Sequence, residues 1–251
     1  YMQTINNSAN TLMDLINDVL DFSKIEAGKL ELSEERTDLI QLCGQTVDMI
    51  KHQAHQKGLE VLLQISPNIR RYVYVDAVRL RQILINLLGN AVKFTHEGEV
   101  SLSVLSTNLD HDEDEVVFKF EIRDTGIGIA RKNLDKIFNA FDQEDASTTR
   151  KYGGSGLGLT ISNRLLNLMD SKLNVSSVLG QGSTFYFHVK LRTEQEINFE
   201  TRPIKDIRKV LIVDDNDNNR EILKQMLAVN KIETVLSPNG IDALNKLKEH
   251  E

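Results

Sequence analysis

The sequence predicts an α+β fold, on three observations. Alternating apolar and polar residues mark strands at EVSLSV (99–104), EVVFKFEI (115–122) and STFYFHVKL (183–191). Helical periodicity marks residues 38–57 and 76–94. Periodicity is lost between Arg192 and Arg208, where charges and Pro203 mark a linker, and a new strand-and-helix pattern follows it.

Composition narrows the function classes. The 251 residues accommodate one large or two ordinary domains. An apolar share of 40% with 27% charged residues suits a chain that buries a core. No apolar run approaches the roughly 18 residues of a membrane span, and YMQTINNSAN lacks the regions of a signal peptide. The sequence as given therefore reads as neither a membrane nor an exported chain. Cys43 is the single cysteine, which excludes an internal disulfide and fits a reducing compartment. A net charge of -7 argues against broad nucleic-acid binding and leaves catalysis on a phosphate-bearing ligand open.

Taken in order, residues up to about Phe22 form a helix whose Met2, Ile5, Ala9, Leu12, Ile16 and Val19 recur at steps of three and four. That pattern fits a seam packed lengthwise on a partner and equally a core helix of a globular domain. SKIEAGKLEL suggests a bend, and the helix 38–57 follows. LEVLLQI (59–65) and YVYV (72–75) read as strands before the helix from Asp76 to Phe94. The acids between Asn108 and Glu115 read as the solvated tip of a hairpin. Beyond the linker, KVLIVDD (209–215) reads as a buried strand ending in acids. A helix (about 219–229), a weak strand (IETVL) and a final helix complete the chain.

Three stretches carry chemistry. On the helix 76–94, Val78, Leu80, Ile83, Leu84, Leu87, Leu88 and Ala91 supply surface for burial, while Arg79, Gln82, Asn86, Asn90 and Lys93 lie within roughly 80° of one another. The stripe fits an ordinary wet face. Asparagine is nevertheless a poor helix former, and an amide oxygen is a neutral hard ligand suited to magnesium that also holds phosphate oxygens. In EVVFKFEIRDTGIGI a strand ends at Asp124, beside Gly126 and Gly128. A carboxylate there accepts a hydrogen bond from a heterocycle with an exocyclic amine, such as adenine, although the same residues also suit a plain turn. In GGSGLG (153–158) the glycines open a helix bearing Leu157, Ile161, Leu165 and Leu168, preceded by Phe138 and Phe141 as apolar anchors and by Arg150 and Lys151. Backbone amides at such a helix start form an anion site. No GKS or GKT follows the glycines, so this is not a P-loop, and GxGxxG is not matched.

In order along the chain, NLLGNAVKFT, DTGIGI, FNAFDQ, GGSGLGL and GQGSTF resemble the N, G1, F, G2 and G3 boxes of the catalytic ATP-binding domain of bacterial sensor histidine kinases, over about residues 31–193. Residues 1–30, with LDFSKIEAGKLEL, resemble the second helix of the dimerisation and phosphoacceptor hairpin. Residues 209–251 resemble the start of a response-regulator receiver domain after a linker at 194–208. The combination resembles a hybrid histidine kinase.

The resemblance implies a Bergerat-type two-layer α/β sandwich, a mixed sheet with helices on one face, preceded by a dimerisation helix and followed by a partial flavodoxin-like receiver segment. It implies ATP and Mg2+ as ligands and transfer of the γ-phosphoryl group to a histidine for phosphorelay. Asn90 would hold the magnesium, with Asn86 and Lys93 at the phosphates in catalytic positions. Asp124 would bind the adenine amine, with Gly126 and Gly128 shaping the base pocket. Arg150, Lys151, Gly154, Gly156, Leu157 and Gly158 would contact the phosphates and Thr184 the adenine through water. Asp214 and Asp215 would supply an incomplete receiver magnesium site. Implied partners are a histidine-bearing hairpin, a receiver or response regulator and a second copy in a full-length homodimer, with no nucleic acid. The implied setting is the cytoplasmic portion of a bacterial, membrane-associated sensor kinase.

Departures from the pattern qualify these implications. None of His52, His55, His96, His111, His188 or His250 has the context of the family's phosphoacceptor. Residues 209–251 lack the strand carrying the receiver's phosphoacceptor aspartate, which predicts a poorly ordered segment or one held by a neighbour. Related gyrase-type ATPases of this fold place a glutamate as general base where this sequence has Asn86, which predicts slow hydrolysis. A non-catalytic nucleotide-sensing module is the third reading.

Overall fold

The structure is a computed structural model and describes residues 2–67, 69–107, 114–134, 136–139, 156–194, 207–228 and 230–248. The elements are α1 (Met2–Glu26), β1 (Glu35–Asp38), α2 (Leu39–Gln56), β2 (Glu60–Ile65), β3 (Tyr72–Val75), α3 (Ala77–Phe94), β4 (Glu99–Ser106) and β5 (Glu115–Asp124). After a 3-10 turn at Arg131–Asn133 come α4 (Gly158–Leu168), β6 (Asn174–Val178), β7 (Gly182–Thr193), β8 (Lys209–Val213), α5 (Asp217–Ala228), β9 (Glu233–Ser237) and α6 (Gly240–Lys248).

The larger sheet runs β1-β3-β7-β5-β4-β2, with β6 also paired to β7. The β2–β4 pair is parallel and the others antiparallel, so the sheet is mixed. Strict alternation on β5 buries Val116, Phe118, Phe120, Ile122 and Asp124 on one face. On β7 it buries Ser183, Phe185, Phe187, Val189 and Leu191. Phe120 stacks on Phe187 at 4.9 Å beneath helices α2, α3 and α4, which supply Leu42, Val47, Leu84, Leu87, Leu88, Ile161 and Leu165 to the same core. The two-layer expectation holds.

Asp38 and Asp76 begin α2 and α3 by accepting the Gln41 and Arg79 amides, each at 3.0 Å. Satisfying these donors fixes where each helix starts. Periodicity reading missed β1 and β6: β1 is four residues of ERTD, and β6 (NVSSV) is mostly polar, so neither has an apolar rhythm. Two residues expected in the apolar faces stand in solvent, Val78 at 67% exposure and Leu168 at 42%. Each lies off the 3.6-residue stripe, which buries Val92 on α3 and Leu166 on α4 instead.

Helix α1 continues past Phe22 to Glu26 and turns at Gly28, whose φ is +63°. Leu12, Met13, Ile16, Val19 and Leu20 are exposed, so the described part of the seam lies outside the core; only Phe22 and Ile25 pack on it. Among the described residues no helix is long and apolar enough to cross a membrane.

Beyond residue 207 the described residues form a parallel β8–β9 pair flanked by α5 and α6. Side chains of this unit also contact the larger sheet. Asn216 Nδ2 donates to Glu60 and, at 3.1 Å, to Glu99; Asn218 Nδ2 donates to Glu99 at 2.6 Å. Gln64 donates to Gln225 at 3.0 Å.

Candidate nucleotide site

The polar stripe of α3 divides by partner. At its N-terminal end Arg79 Nη1 and Gln82 Nε2 both donate to Asp21 Oδ2 of α1, each at 2.9 Å. At its C-terminal end Asn86, Asn90 and Lys93 remain with the sheet domain. Asn86 Nδ2 donates to Ser162 Oγ of α4 at 2.9 Å, and Asn90 Nδ2 donates to Asn86 Oδ1 at 3.4 Å. With both amide nitrogens so engaged, the Asn90 carbonyl oxygen is the amide acceptor on the stripe that has no hydrogen-bond partner among the described residues.

Helix α4 approaches this end closely. A Cβ on Gly158 would stand 2.2 Å from Asn86 Oδ1, so only glycine lets the start of α4 lie against the asparagine. Leu157 precedes the helix at 1% exposure, and Thr160 Oγ1 donates to the Phe138 carbonyl at 3.0 Å. Phe138 is thus held against the first turn of α4. Gly156 lies just before it with φ +70°. Arg150, Lys151, Gly154 and Phe141 lie outside the described residues.

Asp124 closes β5 at 6% exposure. Its Oδ1 accepts the amides of Gly126 at 2.9 Å and Ser183 at 3.3 Å, and Oδ2 has no hydrogen-bond partner among the described residues. Burial raises the carboxyl pKa above its ordinary value, while the two amide bonds pull the other way. The next turn docks on α3: Ile127 N donates to the Phe94 carbonyl at 3.2 Å. Gly128, with φ +67°, passes so near Val178 that a Cβ would meet its carbonyl at 2.1 Å. Lys93, one turn beyond Asn90, has its amine 4.9 Å from the Phe94 ring centroid, and burial lowers its pKa.

Thr184 is not beside Asp124. It pairs with Arg123, while Ser183 pairs with Asp124, and the pleat sends successive side chains to opposite faces. Ser183 was missed. Its Oγ lies 3.0 Å from Ser177 Oγ, and Ser177 Oγ also accepts the Ile129 amide at 2.7 Å. The signal was present in GQGSTF: on a strand, only one of two adjacent hydroxyl residues can share the face of Asp124. Ser162 was missed because a small polar residue on an amphipathic helix carries no pattern.

Asp214 and Asp215 do lie together after β8. Asp214 Oδ1 accepts the Asn216 amide at 2.9 Å and Oδ2 accepts Asn219 Nδ2 at 2.9 Å, so both oxygens are engaged. Among the described residues no group of three or more His, Cys, Asp or Glu is placed to hold a metal.

Residues 75–193 match the family model described as histidine kinase-, DNA gyrase B- and HSP90-like ATPase. The chain is 39% identical over 240 residues to the signal transduction histidine-protein kinase BarA of Shigella flexneri, covering 95% of this chain and 26% of BarA. It is 44% identical over 193 residues to the hybrid signal transduction histidine kinase L of Dictyostelium discoideum, covering 76% of this chain and 11% of that protein. The crystal structure of full-length ShkA in complex with AMPPNP superposes with a TM-score of 0.79 at 32% identity, covering 98% of this chain and 49% of that one.

The chain belongs to the hybrid histidine kinase family. Within it, residues 75–193 carry the match to the ATPase family model, and the mixed sheet with helices on one face is the family's α+β architecture. The chain spans about a quarter of the length of BarA. On this histidine kinase domain, Asn86, Asn90 and Lys93 of α3, Asp124 of β5 and Gly158 of α4 are brought to one end of the sheet, and Arg79 and Gln82 are not.

Proposed function

We propose that this chain binds Mg-ATP between α3, the end of β5 and the start of α4, and that it serves as the catalytic part of a hybrid kinase that transfers the γ-phosphoryl group to a histidine. One observation carries the reading: a buried aspartate at a strand end has one oxygen anchored by two backbone amides and the other without a partner among the described residues. Such an acceptor suits the exocyclic amine of adenine and rejects a carbonyl in that place.

The residues also fit a magnesium ion. The Asn90 carbonyl oxygen is a neutral hard donor of the kind that completes a magnesium shell made mostly of phosphate oxygens and water. When bound, the ion would neutralise charge on the phosphates. Lys93 would face the same phosphates, and Asn86, held by Ser162, keeps the α3 and α4 ends in register. Gly156, Leu157 and Gly158 present the start of α4 to the polyphosphate. Ser183 takes the adenine-side role that the resemblance assigned to Thr184. Arg150, Lys151 and Gly154 complete the phosphate loop in this proposal.

No carboxylate occupies the Asn86 position, so water has no general base there and the phosphoryl group is kept for another acceptor. In the proposed organisation, residues 1–30 are the second hairpin helix, 31–193 the catalytic domain, 194–208 a linker and 209–251 the beginning of a receiver. The exposed stripe of α1 then packs in a homodimer, and Asp214 with Asp215 contributes to a receiver magnesium site. The receiver or a separate response regulator takes the phosphate onward, in a kinase acting at the cytoplasmic side of a membrane. The test supplies the chain with labelled ATP, magnesium and a separate histidine-bearing hairpin from a relative. Labelling of the hairpin with slow background hydrolysis is expected. Brisk hydrolysis without labelling would indicate an ATPase, and binding with neither would indicate a sensing module.

A further inference from the structure

Every backbone carbonyl at the end of α3 has a partner. Ala91 O accepts the Thr95 amide at 3.1 Å and the Thr95 hydroxyl at 2.6 Å. Phe94 O accepts the Ile127 amide at 3.2 Å. The carbonyls of Val92, Lys93 and Thr95 converge on one atom, Lys57 Nζ, at 2.7, 3.0 and 3.4 Å. Lys57 caps α2, thirty-five residues earlier than Val92 in the chain.

An ammonium carries three protons and accepts nothing, so three carbonyls from one helix end use its full donor capacity. The C-terminal end of a helix is its negative pole, where a cation is favoured. The bonds to the Val92 and Thr95 carbonyls are half-buried and the bond to Lys93 is exposed, so the clamp sits at the edge of the core beside the fully buried Thr95.

We propose that Lys57 is a positioning residue for the nucleotide site, an inference that rests on the function proposed above. By holding the carbonyls of Val92, Lys93 and Thr95, the ammonium sets the pitch of the turn that carries the Lys93 side chain and the Phe94 carbonyl. That carbonyl in turn seats the loop after Asp124: it bonds the Ile127 amide and lies where a Cβ on Gly126 would come within 2.4 Å of it. Lys57 thus couples α2 to both the phosphate side and the base side of the site without touching nucleotide. A surface lysine that merely solubilises α2 would project its amine into water rather than into three carbonyls of another helix.

The experiment uses the full chain and two readouts. In the nucleotide-free protein, Lys57→Ala speeds amide hydrogen exchange at Thr95 and Ile127 relative to the β5–β7 core. Fluorescent ATP-analogue affinity with magnesium falls roughly tenfold, the size expected when one charge-assisted contact stops supporting the site. Added n-propylammonium chloride restores both, whereas potassium chloride at equal ionic strength does not, and Lys57→Arg, which keeps several donors, stays within about threefold of wild type. Unchanged exchange and affinity in Lys57→Ala would overturn the proposal. So would losses that neither the amine nor arginine repairs, because those indicate general destabilisation. If wild type itself fails to bind the analogue, the nucleotide reading falls, and the exchange data still judge the clamp.

Discussion

The two halves of the α3 stripe look alike in sequence and do different work. Arg79 and Gln82 spend their donors on Asp21 of α1, an ion pair with side chains 22% and 16% exposed. On the same stripe Asn86 meets Ser162 of α4, Asn90 bonds Asn86, and Lys93 lies by the Phe94 ring. The difference is one of partners: a carboxylate from a neighbouring helix engages the first half, whereas in the second half Asn86 bonds Ser162 and Asn90 bonds Asn86. A polar stripe that reads as one unit in sequence is thus divided by the groups that each part meets.

The sharpest way to break this contrast is Asn90→Ala. Magnesium-dependent ATP-analogue affinity is expected to fall about 100-fold, the equivalent of ~2.8 kcal/mol, while affinity measured in EDTA changes little. Titration calorimetry with and without magnesium checks it.

Asp124→Asn comes next, at about tenfold, and its pH profile sharpens the assignment. Burial raises the Asp124 pKa, so protonation is favoured in the folded state: its contribution to stability is present below the ordinary carboxylate range and is lost as pH rises through the raised value. Binding of the adenine amine needs the ionised form. Affinity for ATP should therefore begin to fall, on acidification, at a higher pH than an ordinary aspartate would give, and Asp124→Asn should abolish that inflection. Affinity measured across an acid titration decides this.

Gly158→Ala tests the contact between the stripe and α4. The new Cβ must displace the Asn86 amide from Ser162, and about a fivefold loss of affinity is expected with most of the stability retained. Titration of the analogue, with a thermal melt alongside, checks it.

Asp21→Ala, in the other half, should lower stability by only ~1–2 kcal/mol, because the pair is part-buried and Arg79 keeps Gln82 as a partner. ATP-analogue affinity should stay within about twofold of wild type. Denaturant melts and titration together measure it. A large affinity loss here would erase the distinction between the two halves.

How much of this was legible in sequence follows from which residues carry periodicity. The alternation in EVVFKFEI and STFYFHVKL survives into the observed strands because each residue type answers to one side of the sheet. Asp124, Asn86 and Asn90 stood out because each breaks its element's pattern. The Asp21 latch and the Lys57 clamp were invisible, since exposed-looking charges on helices are ordinary until tertiary structure shows what they meet. The motif resemblance points to Thr184, whereas the pleat puts Ser183 on the face of Asp124. The contacts of the C-terminal unit are illegible in sequence for a related reason. A two-stranded sheet is marginal alone, but side-chain amides of Asn216 and Asn218 reach Glu60 and Glu99 on the larger sheet.

The central claim is most directly tested by a crystal structure of the chain grown with magnesium and a non-hydrolysable ATP analogue. The account predicts the adenine amine within hydrogen-bond reach of Asp124 Oδ2 and the Asn90 carbonyl oxygen about 2.1 Å from the magnesium. An analogue bound with its base away from Asp124, or a metal with no contact to Asn90, would contradict it.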